Sequence, residues 1–293
     1  MRIIFIGAVE FSLSALKHLL AIEAEIVGVC TIERSNFNAD HIDLSQICAE
    51  YEIPSHYTED INSNETFDWI KQKSPDVIFC FGWSKLIKND LLKLAPLGVI
   101  GFHPAALPAN RGRHPIIWAL VLGLKKTAST FFFMNTGADN GDILSQQEIL
   151  IAEEDDARAL YDKVTEVALM QITEFLPQLV TRSFQRREQN EELANMWRKR
   201  GHLDGQIDWR MSAQSICNLV RGLAKPYIGA HCLVDGIEYK IWKSAVVMNS
   251  PINAEPGKVI DKNEGRVVVK CGVEAIALLE TDPELNVDLG TYL

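Results

Sequence analysis

No G-x-G-x-x-G follows the first apolar run of this chain; the text there is GAVEFS. A dinucleotide cofactor thereby loses the glycine turn that usually cradles its pyrophosphate. A Walker loop, an H-E-x-x-H pair and a G-x-S-x-G elbow are missing as well, so nucleotide hydrolysis, zinc proteolysis and serine-esterase chemistry have no anchor. The six cysteines (Cys30, Cys48, Cys80, Cys217, Cys232, Cys271) are scattered with no C-x-x-C. Most stand in apolar text, which predicts reduced core thiols and no metal centre. No apolar run approaches the roughly 20 residues that cross a bilayer. The opening MRIIFIGAVEF makes a poor signal peptide, so the cytoplasm is the expected compartment. Lys and Arg number 29 against 39 Asp and Glu, a net charge of -10, and no long basic block occurs. General nucleic-acid binding is disfavoured, although a local basic patch can still hold phosphates.

What is present is a 293-residue chain with 47% hydrophobic residues, enough for one large or two medium domains. IIFIGA, EIVGVCTI, DVIFCFG, GVIGFH and STFFFM read as strands buried on both faces. FSLSALKHLLAIE, DLSQICAEYEI, TFDWIKQK and HPIIWALVLG between them have helical spacing, and a long helix is expected over 155–179. This alternation predicts an α/β fold, a doubly wound, Rossmann-like parallel sheet over residues 1–180. After a junction at 181–203 the text changes. GQIDW, AHCLVDGIEYKIWKSAVV and GKVIDKNEGRVVVKCGVEAIALL read as short strands with turns at Asp235-Gly236 and Glu264-Gly265. They predict a small β-rich, OB-like barrel at 204–293.

In an open parallel sheet, ligands bind beyond the carboxyl ends of the strands. Three polar stretches stand at such ends: FGWSKLI, FHPAALP and NTGADNGD. They predict one rim carrying His103, Asp139 and Asp142, with Asn110, Arg111, Arg113 and His114 nearby. An imidazole with a carboxylate beside it suits proton transfer, because the carboxylate fixes the tautomer and supports the cation. The plainer roles are a structural histidine for His103 and a turn for Asp-Asn-Gly. Two guanidiniums beside such a loop are suited to gripping a phosphate or carboxylate bidentately.

HPAALPANRGRHPIIWAL, followed by ADNGD with its Asp 36 residues after His103, resembles the formyltransferase family that uses 10-formyltetrahydrofolate. The family text is Asn-x-His, Leu-Pro, Arg-Gly-x-x-Pro and a downstream Asp-x-Gly. DVIFCFGWSKLI looks like its folate-binding loop, and DGQIDWRMSAQSICNLVRGLAKPYIGAHCLVDGIEYKIW like its C-terminal domain. The resemblance implies formyl transfer from folate N10 to an amine. It assigns His103 as base and partner of the developing oxyanion, and Asp139 as the carboxylate that orients it. Trp83, Ser84, Lys85 and Leu86, with Asp139 and Asp142, become folate contacts. One departure stands out: Gly101 occupies the position of the family Asn, whose amide is an oxyanion donor. A backbone N–H, Asn110 or Asn135 is then the expected substitute, the alternative being an inactive folate- or nucleotide-binding scaffold.

Among the family's amine substrates, methionyl-tRNA enzymes carry a basic insertion after the second strand. The matching TIERSNFNADHIDLSQIC has one Arg against Glu33, Asp40 and Asp43, which repels polyanionic RNA. The resemblance therefore favours a nucleotide-linked amino sugar, with methionyl-tRNA as the alternative. Arg198 and Arg200 in MWRKRGHLDG match a segment that lies near the nucleotide diphosphate, and Asn110, Arg111 and Arg113 complete the expected substrate contacts. The Phe-His-Pro and Arg-Gly-Arg-His-Pro variant looks like the pseudaminic-acid branch, whose substrate is UDP-4-amino-4,6-dideoxy-N-acetyl-altrosamine. A homodimer is compatible with all of this.

Overall fold

Apolar runs become strands and 3.6-period segments become helices in the order the sequence sets. The computed structural model describes residues 1–35, 39–263 and 266–293. β1 (Ile3–Ile6), α1 (Glu10–Ala21), β2 (Ile26–Thr31), α2 (Ser45–Glu50), β3 (Ser55–Tyr57), α3 (Asn64–Gln72), β4 (Val77–Cys80), α4 (Asn89–Leu92) and β5 (Val99–His103) come first. β6 (Arg111–Gly112), α5 (Pro115–Val121), β7 (Lys126–Phe133), β8 (Ile143–Leu150), α6 (Ala157–Thr181) and β9 (Met196–Trp197) follow. The chain divides into two units, one of residues 1–115, 127–149 and 162–197, the other of 116–126, 150–161 and 198–293.

The first unit is built on a seven-stranded sheet of order β3-β2-β1-β4-β5-β7-β8. β1 to β5 pair in parallel. β7 runs antiparallel to β5, with Gly101 opposite Phe132 and His103 opposite Thr130. The sheet is therefore mixed, where the sequence pattern predicts a parallel one. STFFFM gave no warning, because a strand flanked on both edges and covered on both faces reads as a continuous apolar run in either direction.

Alternate residues of each strand serve different faces. Ile4, Ile6, Ile78, Cys80 and Val99 pack with Ile70 of α3 and Leu91 and Leu92 of α4. Phe5, Phe79, Phe81, Phe102 and Phe131 line the other face, where their rings meet Phe11 of α1 and Phe175 of α6. On β5 this places Gly101 and His103 with the aliphatic face and Phe102 with the aromatic one.

The second unit holds α7 (Ala213–Gly222), β10 (Ala230–Val234), β11 (Ile237–Val247), β12 (Val259–Asn263), β13 (Arg266–Lys270) and β14 (Ala275–Asp282). Its antiparallel sheet has the order β10-β11-β14-β13-β12, and no pair joins β12 to β10 among the described residues. The β-rich second unit expected from the sequence is thus built on a five-stranded antiparallel sheet. The Asp235-Gly236 turn forms with φ of 51° and 79°; the Glu264-Gly265 turn lies outside the described residues. α7 interrupts text read as all-β. Ser212 caps it by accepting from the Ser215 N–H, and Ile216, Leu219 and Val220 bury its apolar stripe. GQIDW forms no strand, only an isolated bridge from Gln206 to His231.

All six cysteines are free thiols. Burial pushes Cys48 and Cys232 up to about 11, and Cys80 and Cys271 up to about 12. Among the described residues no helix is long and apolar enough to cross a membrane. Phe131 is fully buried against Phe81, Phe102 and Phe175. Phe131→Ala should lower stability by about 3–5 kcal/mol in urea unfolding; a loss below about 1 kcal/mol would contradict this packing.

Candidate active site

His103 ends β5, and the prolines behind it fold the chain into successive tight turns. Ala105 N–H returns to His103 O at 2.9 Å, Leu107 N–H to Ala105 O at 3.0 Å, and Ala109 N–H to Ala106 O at 3.1 Å. Asn110 follows at φ 66° and Gly112 at φ 105°. A Cβ on Gly112 would lie 2.3 Å from Trp197 O, so only glycine admits the close approach of β9 here.

The turns bring Asn110 O to 2.7 Å from His103 Nε2. A carbonyl only accepts, so Nε2 carries the hydrogen, and in the neutral ring Nδ1 holds the lone pair. Nδ1 faces Asp139 Oδ2 at 3.7 Å. His103 is 4% exposed, and Asp139 Oδ2 accepts the Gly112 N–H at 2.8 Å. This arrangement can take a proton at Nδ1 and stabilise the resulting cation with the carboxylate.

Asp139 does not reach His103 by the expected route. The carboxyl end of β7 lies beside the start of β5, not beside His103. The loop after Phe133 turns back along the sheet. Phe133 N–H donates to Asp142 O at 2.8 Å, and Asp139 adopts φ 54°. Asp142 closes this loop with its backbone, and Asp139 is the carboxylate facing the imidazole.

The other expected site residues have varied occupations. Trp83 packs in the cluster of Ile4, Ile87 and Met134, with its buried Nε1 lacking an acceptor among the described residues. Ser84 is half-buried beside it. Lys85 Nζ donates to Glu59 O, and Leu86 is 62% exposed while its carbonyl accepts from Asn62. Asn110 offers its carbonyl to the imidazole and Asn135 gives Oδ1 to Gly137 N–H.

Arg111, Arg198 and Arg200 each meet acceptors or an aromatic face within the protein. Arg111 is 6% exposed and donates to Gln189 Oε1 and to both oxygens of Glu191. The Arg111 guanidinium holds the Glu191 carboxyl below its usual range. Arg198 forks onto Asp204, which it holds far below the usual carboxylate range. Arg200 is 8% exposed, lies 4.6 Å over the Trp118 ring and donates to Asp204 O. Burial lowers its pKa. Arg113 is half-exposed, with its N–H on Trp197 O.

His202, His231 and Glu238 cluster in the second unit with their ligand atoms within 4.8 Å of one another. Lys240 already holds Glu238 at 2.7 Å, and among the described residues the buried His231 Nδ1 has no acceptor to orient it as a metal ligand. Glu238 and Lys240 form an ion pair on β11, with His231 of β10 and His202 of the 202–205 turn beside it.

Gln189, Glu191 and Met134 escaped sequence reasoning. REQNEEL carries no periodicity or motif and reads as a solvated connection. Met134 matters through Gly101. A Cβ there would meet Met134 Cγ at 2.8 Å, Sδ at 3.0 Å and Phe132 Cζ at 3.1 Å. Gly101 lies in β5 and outside the left-handed region, so space rather than backbone angle restricts it. Gly101→Ala and Gly101→Asn should each cost about 1–3 kcal/mol in urea unfolding. Met134→Ala added to Gly101→Asn should recover part of this loss. Strict additivity of the two changes would show that Met134 is not the obstacle.

The sequence matches the family described as formyl transferase over residues 1–176, and the formyl transferase C-terminal domain over 201–287. A methionyl-tRNA formyltransferase of Caldanaerobacter subterraneus subsp. tengcongensis is 32% identical, over 99% of this chain and 94% of that protein. Among solved structures, an N-formyltransferase from Helicobacter canadensis in complex with folinic acid and dTDP-3-aminofucose superposes with a TM-score of 0.73. It is 16% identical and covers 94% of this chain and 98% of its own. The sugar 3N-formyl transferase WlaRD, with dTDP and 5-N-formyl-THF, gives a TM-score of 0.71 at 17% identity, over 95% and 97% of the two chains. Matched over both segments, and with a relative above 30% identity along nearly its whole length, the chain belongs to the formyl transferase family.

Proposed function

We propose that this enzyme transfers a formyl group from N10-formyltetrahydrofolate to the amine of a nucleotide-linked amino sugar. The observation that carries the reading is the buried His103, tied at Nε2 and open at Nδ1 beside Asp139. The neutral amine attacks the formyl carbon, and its proton passes to His103 Nδ1. The C–N bond to the folate then breaks, and the same proton serves the departing nitrogen. The products are a formamide and tetrahydrofolate. With glycine at position 101, the imidazolium is the charged donor that this site retains for the developing oxyanion. The buried Trp83 Nε1, without a partner among the described residues, is a donor suited to a polar atom of the folate.

Support for a sugar acceptor comes from the solved relatives that bind dTDP or a dTDP-amino sugar, and from the acidic character of the 31–48 segment. Residues 36–38 of that segment lie outside the described residues. The second reading, methionyl-tRNA, is favoured by the 32% identity to an enzyme of that activity. Tetrahydrofolate release decides between them, measured with dTDP- and UDP-linked amino sugars, UDP-4-amino-4,6-dideoxy-N-acetyl-altrosamine among them, and with methionyl-tRNA. Turnover on a sugar alone is expected. Turnover on methionyl-tRNA alone overturns the sugar reading, and none on any acceptor makes the chain a binding scaffold.

His103→Ala should lower single-turnover formyl transfer by about 10²–10⁴-fold while folate affinity changes little. Asp139→Asn should act similarly, since its amide oxygen can still accept from Gly112 N–H but cannot balance the imidazolium charge. Asp142→Asn should cost less. The reverse order of the two aspartates would assign the wrong carboxylate.

A further inference from the structure

Residues 110–112 hold both members of the proton-transfer pair. Asn110 O fixes the imidazole and Gly112 N–H fixes the Asp139 carboxylate. Arg111, between them, points into the protein and ends on Gln189, at 3.1 Å from Nε and 2.8 Å from Nη2. Gln189 is itself 6% exposed. Its Nε2 donates to Asp139 O at 2.8 Å and to Gly141 O at 2.7 Å.

The amide can face only one way. A guanidinium requires the oxygen, and two carbonyls require the NH₂ group. Glu191 holds the far side of Arg111 with two contacts of 2.8 Å. The loop that Gln189 grips is one that needs gripping. Asp139 stands at φ 54°, a region few non-glycine residues adopt. A Cβ on Gly141 would lie 1.7 Å from Phe133 O. The bonds close a ring: Asp139 backbone to Gln189, Gln189 to Arg111, Arg111 to its neighbour Gly112, and Gly112 back to the Asp139 carboxylate.

We propose that Gln189 is a positioning residue for the reaction, oriented by Arg111, which holds the Asp139 loop so that its carboxylate stays against His103 Nδ1. The inference rests on the formyl-transfer reading. Gln189 lies between the two segments that match the family, 1–176 and 201–287, so it draws nothing from that match.

Gln189→Glu and Gln189→Ala test it. Glutamate keeps an acceptor for Arg111 but turns oxygen toward the two carbonyls; alanine removes both functions without burying a charge. Amide hydrogen exchange provides a readout independent of turnover. Gly112 N–H reports the Asp139 carboxylate, and Arg113 N–H, bonded to Trp197 O, reports the surrounding backbone. In a variant that retains the wild-type fold, Gly112 exchange should rise about tenfold, the worth of one hydrogen bond, with Arg113 nearly unchanged. On the acceptor that wild type formylates, kcat should fall by about a hundredfold and KM for both substrates should stay within about threefold.

Turnover within about twofold of wild type overturns the proposal, as does acceleration of Gly112 and Arg113 together, or of neither. Failure of wild type on every acceptor defeats the formyl-transfer reading and the catalytic half of this inference with it. The exchange contrast still decides in that case whether Gln189 holds the Asp139 carboxylate.

Discussion

A carboxylate has to be carried to an imidazole from the far end of an antiparallel strand. β7 delivers the chain beside the beginning of β5, about three residues of strand, or roughly 10 Å, from His103. The return is made by a loop with one left-handed aspartate and a glycine pressed against Phe133 O. Such a loop has little apolar surface to anchor it, so hydrogen bonds must define it. The Gly112 N–H on Asp139 Oδ2 is the contact that holds the carboxylate of this loop.

That contact accounts for much of the polar architecture around it. β6 is only two residues long, yet it pairs with β9, and with the preceding Asn110 it supplies a carbonyl, a guanidinium and an N–H to the contacts around the site. Asn195 Oδ1 accepts the Asn110 N–H, and Asn195 O accepts the Arg111 N–H. The 189–197 segment therefore acts as a clamp on the His-Pro loop. Its polar text is spent on backbone groups that would otherwise be buried without partners.

Cations in a motif-rich loop invite assignment to an anionic ligand, yet the protein itself also offers them partners. Arg111, Arg198 and Arg200 each meet a protein acceptor or an aromatic face. A planar guanidinium with five donors suits the internal bracing of carbonyls, amides and carboxylates as well as it suits phosphate. The partners that the fold brings to each guanidinium separate the two uses, and those are not written in the local sequence.

The sequence by itself determined the alternation that builds the first sheet, the strand-end position of His103, and the membership in a formyl-transfer family. These are encoded locally, in apolar periodicity and in short motifs. It also carried His103 and Asp139 as a pair, through the combination of two motifs 36 residues apart. The direction of β7 was left to the tertiary structure, because burial on both faces erases the period that separates strand environments. α7 was legible in principle from its Ser212 cap, but short strands on either side masked it. Which imidazole nitrogen is open, what Arg111 touches and why Gly101 has no room for a Cβ were decided only in three dimensions. Each depends on contacts between residues distant in sequence, Gln189 with Asp139 and Met134 with Gly101 among them, and no local pattern records where a folded chain will bring them.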